Sequence, residues 1–364
     1  MIKNNKNKKV FVGLSGGVDS SVSSALLKEQ GYTVVGVFIK AWEPENFDCG
    51  WRVERRDAMR VAATLDIPFI TLDLSKEYKE KVVDYMVAEY KLGRTPNPDV
   101  MCNKAIKFGA FFDWAMSRGA DFVATGHYAR IKKKKAGDLE TFEMLAGIDN
   151  NKDQTYFLWT LKQKQLAKTL FLVGDLEKSE VRKLATKFNL PTKNKKDSQG
   201  VCFVGKLDIK EFLKDFIEEK TGNVVDVAGE VIGQHRGVLF YTLGERHGFE
   251  IFKKNPNERP LYVVAKDLLT NIITVSGTPL SGVNDNEVII DSINWVSGQI
   301  PDLTKNYLAR IRYRQPLENC HLETMSAKEK MKVIFDNPQT SIAVGQSLVL
   351  YDGEVCLGGG IIEE

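Results

Sequence analysis

No apolar run in the chain approaches the about eighteen residues that a membrane-spanning helix needs, so a helical membrane protein is excluded. Charge of one sign is not in excess either. The 51 basic and 48 acidic residues leave a formal net charge of +3, and global electrostatics therefore announce no nucleic-acid partner. Any such contact has to come from local patches, for which Lys132 to Lys135, Lys193 to Lys196 and Arg310 to Arg314 are candidates. The first of these reads as a solvated loop. The amino-terminal stretch MIKNNKNKKVFVGLSGG lacks both the apolar core of a secretory signal and the Arg-rich amphipathic length of an organelle presequence. The expectation is a cytoplasmic protein with no membrane partner. Cysteine is scarce: Cys49, Cys102, Cys202, Cys320 and Cys356 are dispersed, with no pair close enough for a zinc knuckle or a redox C-x-x-C. An odd, scattered set argues against a structural disulfide framework. Internal repeats and low-complexity tracts are absent.

What is present is an alternation. Val10 to Leu14, Thr33 to Ile39, Pro68 to Leu72 and Asp121 to Thr125 read as strands. Between them, helical patterns run to Gln30, over Glu54 to Leu65, over Ser75 to Leu92 with Gly93 as the stop, and from about Cys102 to Arg118 after the loop Thr95-Pro96-Asn97-Pro98-Asp99. Strands alternating with helices of this length predict a parallel sheet covered on both faces, with ligands at the carboxyl ends of its strands. Helices over Ser179 to Asn189 and Lys210 to Glu219 follow. From Gly222 onward short β-rich runs alternate with Gly and Asn turns, which predicts a small central β domain and a carboxy-terminal barrel. The 364 residues suit two or three domains, and the divisions expected are 1–214, 215–281 and 282–364.

Gly13-Leu14-Ser15-Gly16-Gly17-Val18-Asp19-Ser20-Ser21 joins the first strand to the first helix. Glycines let backbone N–H groups approach an anion, and a helix start adds unpaired donors and partial positive charge. The serine hydroxyls can donate further, and Asp19 could help hold a magnesium ion. Val18 stands where a Walker A loop needs its lysine, so the loop is of another kind. Its Ser-Gly-Gly-x-Asp-Ser form resembles the loop of N-type ATP pyrophosphatases, which release AMP and pyrophosphate. A bare strand-to-helix turn has no use for such a nest.

Two thiols draw notice. Cys102 is expected at a helix start, where the amino-terminal dipole and nearby Lys104 would favour a thiolate, with Asp99 placed to move protons. A buried small hydrophobe with Asp99 as a helix cap explains the same residues equally well. Cys202, in KKDSQGVCFVG, reads from its surroundings alone as a buried strand residue. Cys49 lies in a polar stretch; Cys320 and Cys356 read as structural.

Taken together, GLSGGVDSSV, GRTPNPDVMCNKAIKF, ATGHYAR, NKDQTYFL, KKDSQGVCFVG, YTLGERHG, RYRQP and GQSLVLYDGEVCLGGGIIE resemble the tRNA-specific 2-thiouridylase family of the MnmA type, over nearly the whole chain. The resemblance implies an α/β fold of the adenine-nucleotide α-hydrolase-like (N-type ATP pyrophosphatase) kind with a central domain and a β-barrel. It implies ATP-dependent 2-thiolation of the wobble uridine of tRNA, with magnesium accompanying ATP and a sulfur-donor protein, a cysteine desulfurase or a sulfur-relay protein, as partner. By the same resemblance Gly13, Leu14, Ser15, Gly16, Gly17, Val18, Asp19 and Ser20 hold ATP phosphates, Ile39 lines the adenine site and Gly126 touches the nucleotide. Asn97, Pro98 and Asp99 meet the target uracil, Cys102 is the nucleophile and Cys202 carries a persulfide. His127, Lys152, Asp153, Gln154, Arg312, Tyr313 and Gln346 contact tRNA. Gln199 and Glu245 stand where the family often has Thr and Gln, and the stretch 43–51 is less acidic than in some relatives. None of these removes a reacting group. Two other functions fit parts of the pattern: an AMP-forming amide or guanidine synthetase, which would not need the thiols, and a nucleotide-gated RNA-binding module, which would release no pyrophosphate.

Overall fold

The computed structural model describes residues 5, 7–44, 50–136, 139–196, 209–253, 259–278, 286–325 and 329–363. The first half carries strands β1 (Lys9–Gly13), β2 (Thr33–Lys40), β3 (Phe69–Asp73), β4 (Phe122–Thr125), β5 (Ala129–Ala136), β6 (Leu139–Ala146) and β7 (Thr169–Phe171). Five of these form a parallel sheet in the order β3-β2-β1-β4-β7. Central β1 is apolar and buried on both faces, with Val10 and Val12 fully enclosed, as a sheet covered by helices on both sides requires. The helices are α1 (Val18–Glu29), α2 (Trp51–Thr64), α3 (75–91, with a π-helical stretch Lys79–Val83), α4 (98–117) and α5 (Lys178–Lys187). Strand order reverses at β1, so the crevice beyond the carboxyl ends of β1 and β4 is the natural ligand site.

The alternation in the sequence places the early elements to within a few residues. Helix α4 is the exception. It opens at Pro98 instead of near Cys102, because Pro is well suited to the first helical position and the Asn97 side chain accepts a hydrogen bond from Val100 N–H at 3.2 Å. Its middle, Asn103–Ala110, is π-helical. The helix expected over Lys210 to Glu219 is shorter, Ile209–Leu213.

The second sheet joins β8 (Gly222–Val225), β9 (Val231–His235), β10 (Glu250–Ile251), β11 (Tyr262–Asp267) and β12 (Ile272–Ser276) in the order β10-β9-β8-β12-β11. The third contains β13 (Glu287–Trp295), β14 (Tyr307–Arg310), β15 (Glu318–Thr324), β16 (Met331–Phe335), β17 (Ser347–Asp352) and β18 (Val355–Ile362). Pairing of β13 with both β16 and β18 closes these six into a barrel. The β5–β6 hairpin, contributed by the first half of the chain, adds to it through β6 and β18. Lys132 to Lys135 therefore lie on an edge strand and not in a loop. Lys133 meets Glu140 at 2.6 Å and Lys134 pairs with Glu143, a charged edge of the kind that discourages further strand pairing.

The three parts share cores. One buried cluster runs from Val37, Tyr78 and Phe111 into Phe240, Val263 and Ile273 of the central sheet. Another joins Phe108, Tyr156 and Trp159 to Val349 and Tyr351 of the barrel. Trp159 Nε1 donates to Ser347 Oγ at 3.0 Å, and the Tyr156 hydroxyl donates to Ser347 O at 2.8 Å. Cys320 and Cys356 are buried barrel residues, and burial raises both thiols, Cys320 to about 12. Both are structural, as their setting in the sequence suggested.

Candidate functional site: a nucleotide-sized cavity beside a buried thiol

At the end of β1 the chain turns through Gly16, whose φ is +76°; a Cβ there would fall 2.4 Å from Glu54 O. The first amides of α1 have no intrahelical acceptor, and Gly17, its N-cap residue, supplies no side-chain cap. Four serines follow, with hydroxyls largely committed to the chain. Ser21 donates to Gly17 O at 2.6 Å, Ser23 to Asp19 O at 2.9 Å and Ser24 to Ser20 O at 2.9 Å. Only Ser15 and Ser20, 3.2 Å apart, line the space in front of the turn. The anion cradle is therefore chiefly backbone N–H. At Gly126, just beyond β4, a Cβ would lie 2.5 Å from Ser20 N and 2.8 Å from Asp19 C; glycine is what allows the two segments to meet.

The turn faces a cavity of about 530 Å³, within the range of small-molecule and cofactor sites. Val37 and Ile39 of β2, Gly126, Asp99 and Tyr313 line it with the phosphate loop. Asp19 accepts from Lys178 Nζ at 2.6 and 2.8 Å and from the Tyr128 hydroxyl at 2.8 Å. Glu54 lines the wall near Lys195 and Asp57, its carboxyl raised by burial. His127 is 7% exposed, with Nδ1 2.7 Å from Thr125 Oγ1 and Nε2 3.4 Å from Lys107 Nζ. Burial, and then the Lys107 charge, push its imidazole well below the ordinary value; it is neutral and can accept at Nε2 from the ammonium.

Asp99, Asn103 and Lys107 recur every fourth residue on α4 and all line the cavity, whereas Cys102 is fully buried in the sheet-side core with Ile106. Cys102 is thus the fifth residue of the helix and not its first, so an amino-terminal dipole is a weaker aid to its thiolate than the sequence suggested. Also lining the cavity, the Phe157 and Tyr313 rings lie 4.5 Å apart between centroids, and the Arg314 guanidinium sits 5.1 Å from the Tyr313 centroid. Tyr313 and Arg314 occupy a turn after β14, with Arg314 at φ +64°.

Of the residues marked in the sequence, the cavity gathers Gly13, Leu14, Ser15, Gly17, Val18, Asp19, Ser20, Ile39, Asp99, Gly126, His127, Lys152, Gln154 and Tyr313. Others stand behind its walls. Asp153 is buried and accepts from the Gly147 and Thr155 amides. Arg312 Nη2 donates to Leu243 O and Ser341 O, both at 2.7 Å. Gln346 and Asn97 are 3.5 Å apart, and Gln346 Nε2 donates to Pro96 O at 3.3 Å. Pro98 opens the helix. Cys49 and Cys202 lie outside the described residues. Asn103, Lys107, Tyr128 and Lys178 were not singled out in the sequence. The i+4 spacing from Asp99 would have found the first two; nothing local marks the others, which come from distant elements.

Comparison with known proteins agrees with this geometry. The chain is 46% identical to the tRNA-specific 2-thiouridylase MnmA of Hydrogenovibrio crunogenus, over 99% of this chain and 95% of that protein. It is 47% identical to the same-named protein of Shewanella sp. (strain MR-4), covering 98% and 96%, and 45% identical to that of Enterococcus faecalis, covering 99% and 96%. The chain belongs to the tRNA-specific 2-thiouridylase (MnmA) family. Three family models match in succession: a tRNA methyl transferase HUP domain over residues 8–206, a tRNA methyl transferase PRC-barrel domain over 210–277 and an aminomethyltransferase beta-barrel domain over 285–362. Solved structures are more distant. The tRNA thiolase NcsA from Methanococcus maripaludis aligns over 58% of this chain and 67% of that one, at 20% identity and a TM-score of 0.36, too loose a likeness to carry an argument. Among the described residues no helix is long and apolar enough to cross a membrane, and no group of three or more His, Cys, Asp or Glu is placed to hold a metal ion.

Proposed function

We propose that this chain is a cytoplasmic enzyme that uses ATP to replace the 2-oxygen of the wobble uridine of tRNA with sulfur, releasing AMP and pyrophosphate. The observation that carries the reading is one cavity lined both by the backbone anion cradle within Gly13 to Ser20 and by Asp99, one helical turn from Cys102, with an aromatic pair. In this reading 1–214 is the catalytic unit, and 215–281 and 282–364 are the central and barrel units.

The uracil 2-oxygen is a poor leaving group. Its attack on the α-phosphorus of ATP forms an oxygen–phosphorus bond and expels pyrophosphate. The helix amides hold the phosphates, and Lys107 and Lys178 place positive charge nearby. The target base leaves its stack to enter the pocket, and Phe157 and Tyr313 give it a stacking surface. A persulfide on Cys202, loaded by a sulfur-donor protein, then supplies the nucleophile. Its outer sulfur bonds to carbon 2, and AMP departs with the former carbonyl oxygen. The Cys102 thiolate attacks the inner sulfur of Cys202, a Cys102–Cys202 disulfide forms, and the thiocarbonyl stays on the base. An external thiol reductant returns the disulfide to two thiols. Alternatively, Cys102 takes the inner sulfur first and hydrosulfide is the attacking species. Asp99 moves protons in either route. Because Cys102 is buried, α4 has to uncover it; a π-helical stretch directly after it, as in Asn103–Ala110, is a common feature of functional sites.

Magnesium would accompany the nucleotide. Both Asp19 oxygens already accept from Lys178, which does not fit a resident metal site on the chain. His127, Lys152, Gln154 and Tyr313 at the cavity are the proposed RNA contacts nearest the base, with Arg312, Asp153 and Gln346 as proposed contacts beyond its walls.

The test is product analysis. Unmodified tRNA incubated with ATP, magnesium and sulfide should yield 2-thiouridine at the first anticodon position by nucleoside mass spectrometry, and Cys102→Ser should abolish the product when sulfur comes from a donor protein. A methylated base in place of a thiolated one, or full turnover without either thiol, would defeat the proposal.

A further inference from the structure

The segment 93–97, which leads into α4, is held from two sides by parts of the chain far away in sequence. From the central sheet, Lys266 Nζ donates to Gly93 O at 2.8 Å and to Tyr241 O at 2.7 Å. Thr242 Oγ1 lies 3.0 Å from Thr95 Oγ1. Leu268 packs so close to Gly93 that a Cβ there would sit 2.5 Å from its Cδ1. From the barrel, Val344 O accepts from Thr95 N–H at 2.7 Å, and Gln346 meets Pro96 and Asn97. Gly345 passes at φ +93°, where a Cβ would lie 3.0 Å from Thr95 O. Asn97 then caps the helix that carries Asp99 and Cys102.

We infer that segment 93–97 is a strut through which the central and barrel units set the position of Asp99 and Cys102, and that Lys266 is its positioning residue in the central unit. A long cationic side chain turned inward onto two carbonyls is an unusual use of lysine. Here it ties Gly93, just past the end of α3, to Tyr241, so movement of either accessory unit reaches the cap of α4 within four residues. The inference rests on the proposed roles of Asp99 and Cys102 for its catalytic consequence, though not for the strut itself.

Burial lowers the Lys266 ammonium to about 8, against the opposing influence of Glu245. Glu245 is itself paired with Lys210 at 2.6 Å, and Arg94 pairs with Glu89 at 3.7 Å. The Tyr90 and Tyr241 hydroxyls, both pushed up to about 12, stay neutral. As pH rises through about 8 the ammonium becomes an amine, and two charge-assisted hydrogen bonds become ordinary ones, roughly half as strong.

Three variants test this: Lys266→Met, Lys266→Arg and Thr242→Val. Amide hydrogen exchange of residues 97–103 should quicken in Lys266→Met, whatever reaction the protein catalyses. Turnover by Lys266→Met should fall roughly tenfold with KM for ATP unchanged. Wild-type turnover should decline above pH 8, and that decline should be lost in Lys266→Arg, which keeps its charge. Unchanged exchange at 97–103, or a Lys266→Arg profile that declines as the wild type does, overturns the inference. If Lys266→Met fails to fold, exchange in Thr242→Val decides in the same way. Absence of 2-thiouridine from the wild type would instead sink the proposed function and leave the exchange result standing on its own.

Discussion

Gly126 shows how much of the site depends on a single missing methyl group. Its neighbours are the backbone of Asp19 and Ser20, which cannot rotate away as a side chain could, so a Cβ at 2.5 Å has to push α1 from β4. Gly126→Ala should weaken ATP binding by at least roughly tenfold in equilibrium titration while leaving the barrel intact by melting. Unaltered affinity would mean that the nucleotide does not use the crevice between β1 and β4. Lys178 is a second case. It pairs with Asp19 at 2.6 Å with little solvent around it, so Lys178→Met strands a partly buried carboxylate. The expected result is loss of turnover with a lower melting temperature, and Asp19→Asn in the same background should recover part of the melting temperature. No recovery would mean that the pair is not what holds Asp19.

In the proposed mechanism helix α4 carries most of the reacting groups, and the cap on it is Asn97. Asn97→Ala removes the bond to Val100 N–H and should cost about 1 kcal/mol of stability, read from denaturant unfolding, with a larger fall in turnover than that loss accounts for. Equal falls in stability and turnover would make Asn97 a cap only. This helix also shows where sequence reading stops. The parallel sheet and the glycine-rich turn into α1 were legible because buried apolar runs and Gly-Gly-x-Asp-Ser are local signals. The start of α4 was misplaced by four residues because Pro98 reads as a loop residue until it is seen at the first helical position. The β5–β6 hairpin was missed because its lysines give no apolar alternation; its strand form comes from the pairing of Ala129–Ala136 with Leu139–Ala146, and its place on the barrel from β6 meeting β18 more than two hundred residues away. Arg312 illustrates the same limit, since its hydrogen bonds to the carbonyls of Leu243 and Ser341 join segments that no local signal brings together.

At the scale of the molecule, those two carbonyls belong to the central unit and the barrel, and Arg312 fastens one to the other. Arg312→Met should lower stability by about 2 kcal/mol and should slow turnover on tRNA more than ATP-binding alone; a loss confined to RNA affinity would mark it as a simple phosphate contact instead. The three units thus form one framework that presents the nucleotide cradle and the helix of Cys102 to the same cavity. In the proposed reaction ATP activates the oxygen that sulfur replaces, and oxygen labelling follows that atom directly. With heavy oxygen placed at carbon 2 of the wobble uridine, single turnover should deliver the label to the phosphate of AMP, detected by mass spectrometry. Label found in water or pyrophosphate, or retained in the RNA alongside new sulfur, would contradict the account.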